Sequence, residues 1–159
     1  MKYDDVMWHE QDGRPDEKAV HIGYYMQWVV KNGLGSSFLA EETGKEVMEK
    51  VASGSMSGYD FLVAHCGGAL VDEDLNDEGR AFTGAYYKNI HILDLEEAFP
   101  ENMQKGDLLR MPYSQSSYRR LADILDRRLD EWRRGALKVP PKVSFFQNIK
   151  RMILGTNRR

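Results

Sequence analysis

Apolar side chains recur every three or four residues through most apolar segments of this sequence, and this spacing is the strongest constraint on the fold. The clearest case begins at Ala19 and continues through Ile22, Met26, Val29 and Val30. Residues at these intervals lie on one face of an α-helix. No stretch of alternating apolar and polar residues is long enough to demand a sheet. The spacing therefore predicts an all-α fold, a compact bundle of about five helices.

Start and stop signals set approximate limits for these helices. Thr43 and Glu46 have the spacing of a capping box, and Ser116 or Ser117 is placed to cap the last long helix. Residues 1–14 form a short N-terminal arm, and a short strand in residues 1–8 or 68–72 remains open. The predicted helices run from Pro15 to Asn32, over a short piece at 37–42, from Thr43 to Gly54, from Ser57 to Gly67, from the acidic stretch at 72–78 to about Phe99, and from Ser116 to Gly135.

The chain divides into a helical domain at 1–135 and a basic tail at 136–159. Residues 135–159 carry six basic side chains and no acidic one, a charge of +6, and the other 134 residues carry 16 basic and 25 acidic ones, a charge of −9. After Pro140-Pro141 the tail has the pattern of an amphipathic C-terminal helix. We expect it to dock on the body, on a partner or on an anionic membrane. Its docking residues are Phe145, Phe146, Ile149, Met152 and Ile153.

The charge and the N-terminus exclude several classes of protein. An acidic body repels phosphate, so we expect no nucleic-acid partner. The N-terminus has no apolar stretch behind its first charges, and no run of about 18 apolar residues occurs. We therefore expect a cytoplasmic protein. Cys66 is the single cysteine, so it forms no disulfide within the chain.

The sequence contains no convincing catalytic or metal-binding motif. His9, His21, His65 and His91 are separated by 12, 44 and 26 residues, so no two of them have the spacing that places metal ligands on one helix face. The acidic stretch at 72–78 has the first oxygen ligands of a calcium loop but lacks its glycine and its closing glutamate. We therefore expect no catalytic residue, no cofactor and no metal, although an enzyme is not excluded. The three tryptophans, Trp8, Trp28 and Trp132, are expected in the core.

Several short motifs, in their order along residues 1–134, resemble a bacterial family of short helical proteins that is catalogued as a domain of unknown function. Members of that family are sometimes encountered near secreted toxins and their immunity proteins. The resemblance implies a helical fold and no established activity. The motifs are Tyr3-Asp4-Asp5, Trp8-His9, His21-Ile22-Gly23, Trp28, Asn32-Gly33-Leu34, the run from Asp72 to Gly79, Ala81-Phe82-Thr83, Tyr86-Tyr87, Tyr118, Asp126-Arg127-Arg128 and Glu131-Trp132.

These observations favour a protein that binds a partner without catalysing a reaction. The leading hypothesis is an immunity or antitoxin-like protein that neutralises a bacterial secreted toxin or effector with a basic surface. One alternative is a small enzyme or ligand-binding regulator with a pocket between helices, using His21, His65 or His91 with nearby acids. Another is a membrane-surface adaptor that uses the tail. The expected partner-binding residues are Asp72, Glu73, Asp74, Asp77, Glu78 and Tyr87.

Overall fold

The computed structural model of the chain is mostly helical with one small sheet, and it describes residues 1–12 and 15–141. None of the helices within these ranges is long and apolar enough to cross a membrane. The N-terminal half contains β1 (Lys2–Asp5), a 3-10 helix (Val6–Asp12), α1 (Pro15–Lys18), α2 (Val20–Lys31), α3 (Ser37–Thr43), α4 (Lys45–Ser53) and α5 (Gly58–His65). It is followed by β2 (Ala69–Val71), a second 3-10 helix (Asp72–Asp74), α6 (Asp77–Ala98), α7 (Pro100–Gln104) and α8 (Gln115–Arg133).

The two-stranded sheet corrects the all-α prediction. β1 and β2 pair in antiparallel orientation, with Lys2 opposite Val71 and Asp5 opposite Ala69. Both segments that the sequence leaves open as strands are thus strands, and they are partners. At four and three residues they are too short to show an alternating pattern, and their pairing joins positions far apart in the sequence. The sheet fixes the N-terminal arm against the helices.

Helix α2 is the centre of the fold. Every residue from Val20 to Val29 is buried, including the polar His21 and Gln27. A helix that is buried on all sides must be covered by the rest of the chain, and α2 packs against α4, α5, α8 and β2. The sequence predicts one apolar stripe on this helix, whereas the structure buries its whole circumference.

Glycine allows α2 and α5 to approach closely. A Cβ atom on Gly58 would lie 1.9 Å from the carbonyl oxygen of Gly23, and a Cβ atom on Gly23 would lie 2.3 Å from the backbone nitrogen of Tyr59. Both separations are far below van der Waals contact, and both involve backbone atoms that cannot move independently. The two helices therefore pack backbone against backbone at this crossing.

Buried polar contacts join α8 to the rest of the core. The Arg128 guanidinium donates hydrogen bonds to the buried Asp94 carboxylate of α6 at 2.8 Å and 3.0 Å. The Tyr86 hydroxyl donates to the same carboxylate at 2.9 Å. The Trp28 indole donates to Asp126 at 2.8 Å and so connects α2 with α8. A buried carboxylate that is matched in this way fixes the orientation of α6 against α8.

Several predicted helix boundaries are confirmed and others are wrong. The predicted start at Ser57 is confirmed, because Ser57 caps α5 and its hydroxyl accepts from the Asp60 amide. The capping box at Thr43 does not form, because Thr43 ends α3 and Gly44 precedes α4 without a side-chain cap. Ser114, rather than Ser116 or Ser117, caps α8. The predicted loop after Phe99 contains α7.

Two of the three tryptophans lie in or against the core. Trp28 is buried and Trp132 is partly buried, as expected, but Trp8 is 57% exposed and does not belong to the core. It lies on the first 3-10 helix, outside the regular helices whose periodicity the sequence displays.

The tail-docking residues Phe145, Phe146, Ile149, Met152 and Ile153 lie outside the described residues.

The close crossing of α2 and α5 generates a stability prediction. We expect Gly58→Ala to lower the free energy of unfolding by about 1–3 kcal/mol or more, because the added methyl group overlaps backbone atoms. Gly84→Ala is the matched control. Gly84 is an exposed position of α6, and no atom lies closer than 3.8 Å to the new Cβ. Because alanine favours a helix more than glycine does, Gly84→Ala should raise the free energy of unfolding by about 0.5–1 kcal/mol. Urea unfolding of both variants checks the pair, and equal effects would contradict the close packing.

Candidate functional site

A cavity of about 530 Å³ opens between the sheet, the first 3-10 helix, α2 and α6. One wall is apolar and includes Ile92, Leu95 and Leu109, and the exposed Trp8 stands at the edge. The other lining side chains include a carboxylate and three imidazoles, which we call the polar wall, and one of these imidazoles, His91, lies on the same helix as Ile92 and Leu95. The residues that line the cavity are Tyr3, Asp4, Trp8, His9, His21, Tyr87, Lys88, His91, Ile92, Leu95 and Leu109.

Asp4 is the centre of the polar wall. Its Oδ1 accepts a hydrogen bond from the Asp5 amide at 2.9 Å and lies 2.9 Å from His9 Nε2, and its Oδ2 accepts from the Tyr87 hydroxyl at 2.8 Å. Burial alone would raise the pKa of Asp4. The hydrogen bond of His9, the charge of His21 and the bond of Tyr87 outweigh burial and lower this pKa to about 2. The carboxylate is therefore ionised throughout the physiological range.

His21 and His91 are buried neutral imidazoles. Burial lowers the pKa of His21 to about 4, and burial together with the charge of His21 lowers that of His91 to about 3. Neither nitrogen of His21 has a hydrogen-bond partner among the described residues, and His91 Nε2 also has none. Native proteins normally satisfy buried polar atoms, and each one left unpaired costs roughly 1–3 kcal/mol. These nitrogens are therefore candidate contacts for a molecule bound in the cavity.

The three imidazoles and Tyr87 form one cluster in spite of their distance in sequence. The ring of His21 lies 5.1 Å from that of His9 and 5.9 Å from that of His91, between centroids. The ring of His91 stacks on that of Tyr87 at 4.4 Å. His9 comes from the first 3-10 helix, His21 from α2 and His91 from α6. Linear spacing contains no signal for such a cluster, because tertiary packing alone brings the three elements together.

His65 and Cys66 lie apart from this cavity. His65 is exposed at the end of α5 and does not line the cavity, whereas the sequence grouped it with His21 and His91. Cys66 is half-buried, and burial together with the charge of Asp74 raises the pKa of its thiol. A thiol with a raised pKa stays protonated at neutral pH and is a poor nucleophile. The pair therefore offers no catalytic centre.

The acidic stretch expected to bind a partner is largely paired within the chain. Asp72 accepts from the N-terminal amine at 2.8 Å and from the Tyr3 hydroxyl at 2.5 Å. Asp77 pairs with Arg80, and Glu78 pairs with Arg133 at 2.7 Å. Asp74 is buried. Of the five acidic residues expected to bind a partner, only Glu73 is both exposed and without an ion pair to another described residue. The free negative charge of this stretch is smaller than the sequence suggests.

Tyr87 points inward, into the site described above. It is 7% exposed, and burial and the charge of Asp4 raise the pKa of its hydroxyl well above the usual value. The hydroxyl therefore remains protonated and donates to Asp4. The structure thus places this candidate partner-binding residue in the cavity wall.

A family model matches residues 2–106 of the chain, and that family is a domain of unknown function. The matched range contains every cavity-lining residue except Leu109, whereas α8 lies outside it. No curated protein and no solved structure matches the chain. The residues of the cavity are thus those of the family domain itself.

Asp74 generates a pH-dependent stability prediction. Burial, with the charge of Glu73, raises its pKa to about 6 from the ordinary 3.8, and its Oδ2 is buried without a partner among the described residues. Because the folded-state pKa is raised, ionisation of this carboxyl costs no stability below about pH 3.8; the cost grows between about pH 3.8 and pH 6 and stays constant at higher pH. We expect Asp74→Asn to raise the free energy of unfolding by about 1–3 kcal/mol at pH 8 and to change it little at pH 4.

The control for this prediction is Asp77→Asn. Asp77 is nearly fully exposed, so its exchange should change stability little at either pH. Urea denaturation of the three proteins at pH 4 and pH 8 gives the comparison. If Asp74→Asn raised the free energy of unfolding equally at both pH values, or lowered it at pH 8, the assignment of Asp74 as an unpaired buried carboxyl would be contradicted.

Proposed function

The chain belongs to the family described as Domain of unknown function (DUF7832), and we propose that it works by binding a small ligand in the cavity between the sheet, α2 and α6. The ligand has an apolar body and a neutral or cationic polar group. This corresponds to the ligand-binding alternative from the sequence, with His21 and His91 as polar contacts and without His65. Binding requires no reactive centre.

The observation that carries this proposal is the cavity with its unpaired buried imidazole nitrogens. Its volume of about 530 Å³ falls within the usual range for small-molecule sites, roughly 300–1,000 Å³. Such sites combine a mostly apolar lining with a few polar groups, and here Ile92, Leu95 and Leu109 line the same cavity as His91. A ligand that hydrogen-bonds to His91 Nε2 would recover the cost of leaving this buried atom unpaired.

The charges of the side chains in the polar wall determine which ligand charge fits the cavity. Asp4 is ionised, and His21 and His91 are neutral at physiological pH. The Asp4 carboxylate therefore places a negative charge in this wall, which disfavours an anionic group beside it. Lys88 lines the cavity but is exposed, so water screens its charge. A neutral or cationic group donating to Asp4 or to an imidazole fits this wall best.

Blocking the cavity tests the proposal. Ile92→Trp adds a large side chain to the apolar wall and should lower the affinity of the full chain for a neutral probe, N-phenyl-1-naphthylamine, by roughly 10-fold or more. Val63→Trp is the control, because Val63 is 49% exposed on α5 and does not line the cavity. Fluorescence titration should show one saturable site in the wild type and the control. No saturable binding, or equal affinity in all three proteins, would count against the proposal.

A second candidate function is protein binding, and an exposed apolar group beside the acidic stretch favours it. Met1, Met7 and Trp8 are 65%, 60% and 57% exposed. The Met1 amine contacts Asp72, and the Lys2 ammonium lies 6.0 Å from the Trp8 ring, so this surface adjoins the end of the sheet. An exposed tryptophan with carboxylates nearby suits a basic protein surface. The partner proposed here is a bacterial toxin, neutralised in the cytoplasm by this chain as an immunity protein.

Trp8→Ala tests this second function, with Phe38→Ala as its matched control. Phe38 is 59% exposed on α3, so both changes remove a similarly exposed aromatic ring. With the full chain as bait in affinity purification, we expect a co-expressed neighbouring toxin to bind the wild type and Phe38→Ala. Trp8→Ala should weaken binding by roughly 10-fold or more. A toxin that binds none of the baits, or all three equally, argues against this surface.

A further inference from the structure

Asp4, His9 and His21 lie close together among the residues that line the cavity. One ligand atom from each side chain can be chosen so that all three lie within 4.8 Å of one another. Donors around one tetrahedral ion are separated by about 3.4 Å, given metal–ligand bonds of about 2.1 Å. On metal binding, the 2.9 Å contact between Asp4 Oδ1 and His9 Nε2 would widen and the longer separations would shorten.

The state of His21 is an independent sign that this cluster binds something. Its side chain is 3% exposed, and neither ring nitrogen has a hydrogen-bond partner within the described residues. A histidine placed only for packing would leave two polar atoms uncompensated. A metal ion would use the lone pair of one nitrogen.

We propose that Asp4, His9 and His21 bind a divalent first-row transition-metal ion. This inference goes beyond the small-ligand proposal, because the protein supplies the three donors without help from a ligand. Two imidazoles and one carboxylate suit zinc, iron, cobalt or nickel, whereas calcium and magnesium prefer oxygen donors alone. Three protein donors leave a coordination position open toward the cavity, as in metal sites that also bind water or a small molecule.

The surroundings of Asp4 support the same assignment. The Tyr87 hydroxyl donates to Oδ2 at 2.8 Å, which orients the carboxylate and leaves Oδ1 toward His9. Metal-binding carboxylates are commonly held by such outer hydrogen bonds, and their loss typically lowers metal affinity about 10–100-fold. Tyr87 is therefore a positioning residue for this site. The ring of His91 stacks on that of Tyr87.

The experiment is a titration of the metal-free full chain, expressed without a histidine tag, with zinc and with cobalt. We expect one ion per chain by calorimetry, and a visible cobalt absorption that reports nitrogen and oxygen donors. His9→Ala should lower the affinity roughly 100-fold or more and remove the cobalt absorption. Tyr87→Phe should lower the affinity about 10-fold while keeping the stoichiometry of one.

His65→Ala is the matched control, because it removes an exposed histidine that lies outside the cluster. It should bind zinc like the wild type. His9 is only partly buried, so its loss leaves the core in place, and circular dichroism verifies that the variant is folded. No saturable binding by the wild type, or equal affinity in His9→Ala, would overturn the proposal.

The small-ligand proposal and the metal proposal can be contradicted independently of each other. Naphthylamine binding to metal-free protein reports on the apolar wall, whereas the zinc titration reports on Asp4, His9 and His21. A wild type that binds zinc but not the probe supports the metal site and contradicts the small-ligand cavity. The reverse result contradicts the metal site alone.

Discussion

The complete burial of α2 is the constraint on which the rest of the structure depends. A helix with no solvent face needs cover on every side, and the sheet, α4, α5 and α8 supply it. The glycine pair Gly23 and Gly58 permits the closest of these contacts. The same burial places a histidine, His21, where neither ring nitrogen has a hydrogen-bond partner among the described residues. The packing of the chain around α2 therefore forms the core and also places one residue of the candidate site.

The sheet supplies the other half of the site. The pairing of β1 with β2 holds Asp4 beside α2 and α6, where it accepts hydrogen bonds from Tyr87 and faces two imidazoles. The hydrogen bonds of His9 and Tyr87 outweigh the cost of burying this carboxylate and keep it ionised. Both binding proposals rest on this ionised carboxylate and on the unpaired imidazole nitrogens near it, which a cationic or neutral ligand group, or a metal ion, would match. The match of the family model to residues 2–106 places these residues within the domain.

Charge counted along the chain overstates the charge available at the surface. The acidic stretch at 72–78 appears in the sequence as a strongly negative face. In the fold, Asp72 pairs with the N-terminal amine, Glu78 pairs with Arg133 and Asp74 is buried. Arg133 belongs to α8, 55 residues away. Because ion pairing depends on such distant neighbours, a partner surface cannot be located from composition alone, and the exposed Trp8 becomes as informative as the carboxylates.

By itself, the sequence determined the helical character of the chain, most of the helix limits and the cap at Ser57, because periodicity and capping depend on neighbours within a few residues. It left a short strand open in residues 1–8 or 68–72. Only the tertiary structure decided that these strands pair, that Trp8 is exposed, and that Asp4, His9 and His21 share one wall. Those features join separate elements, and the free energy that brings them together comes from packing around α2, which no local pattern records.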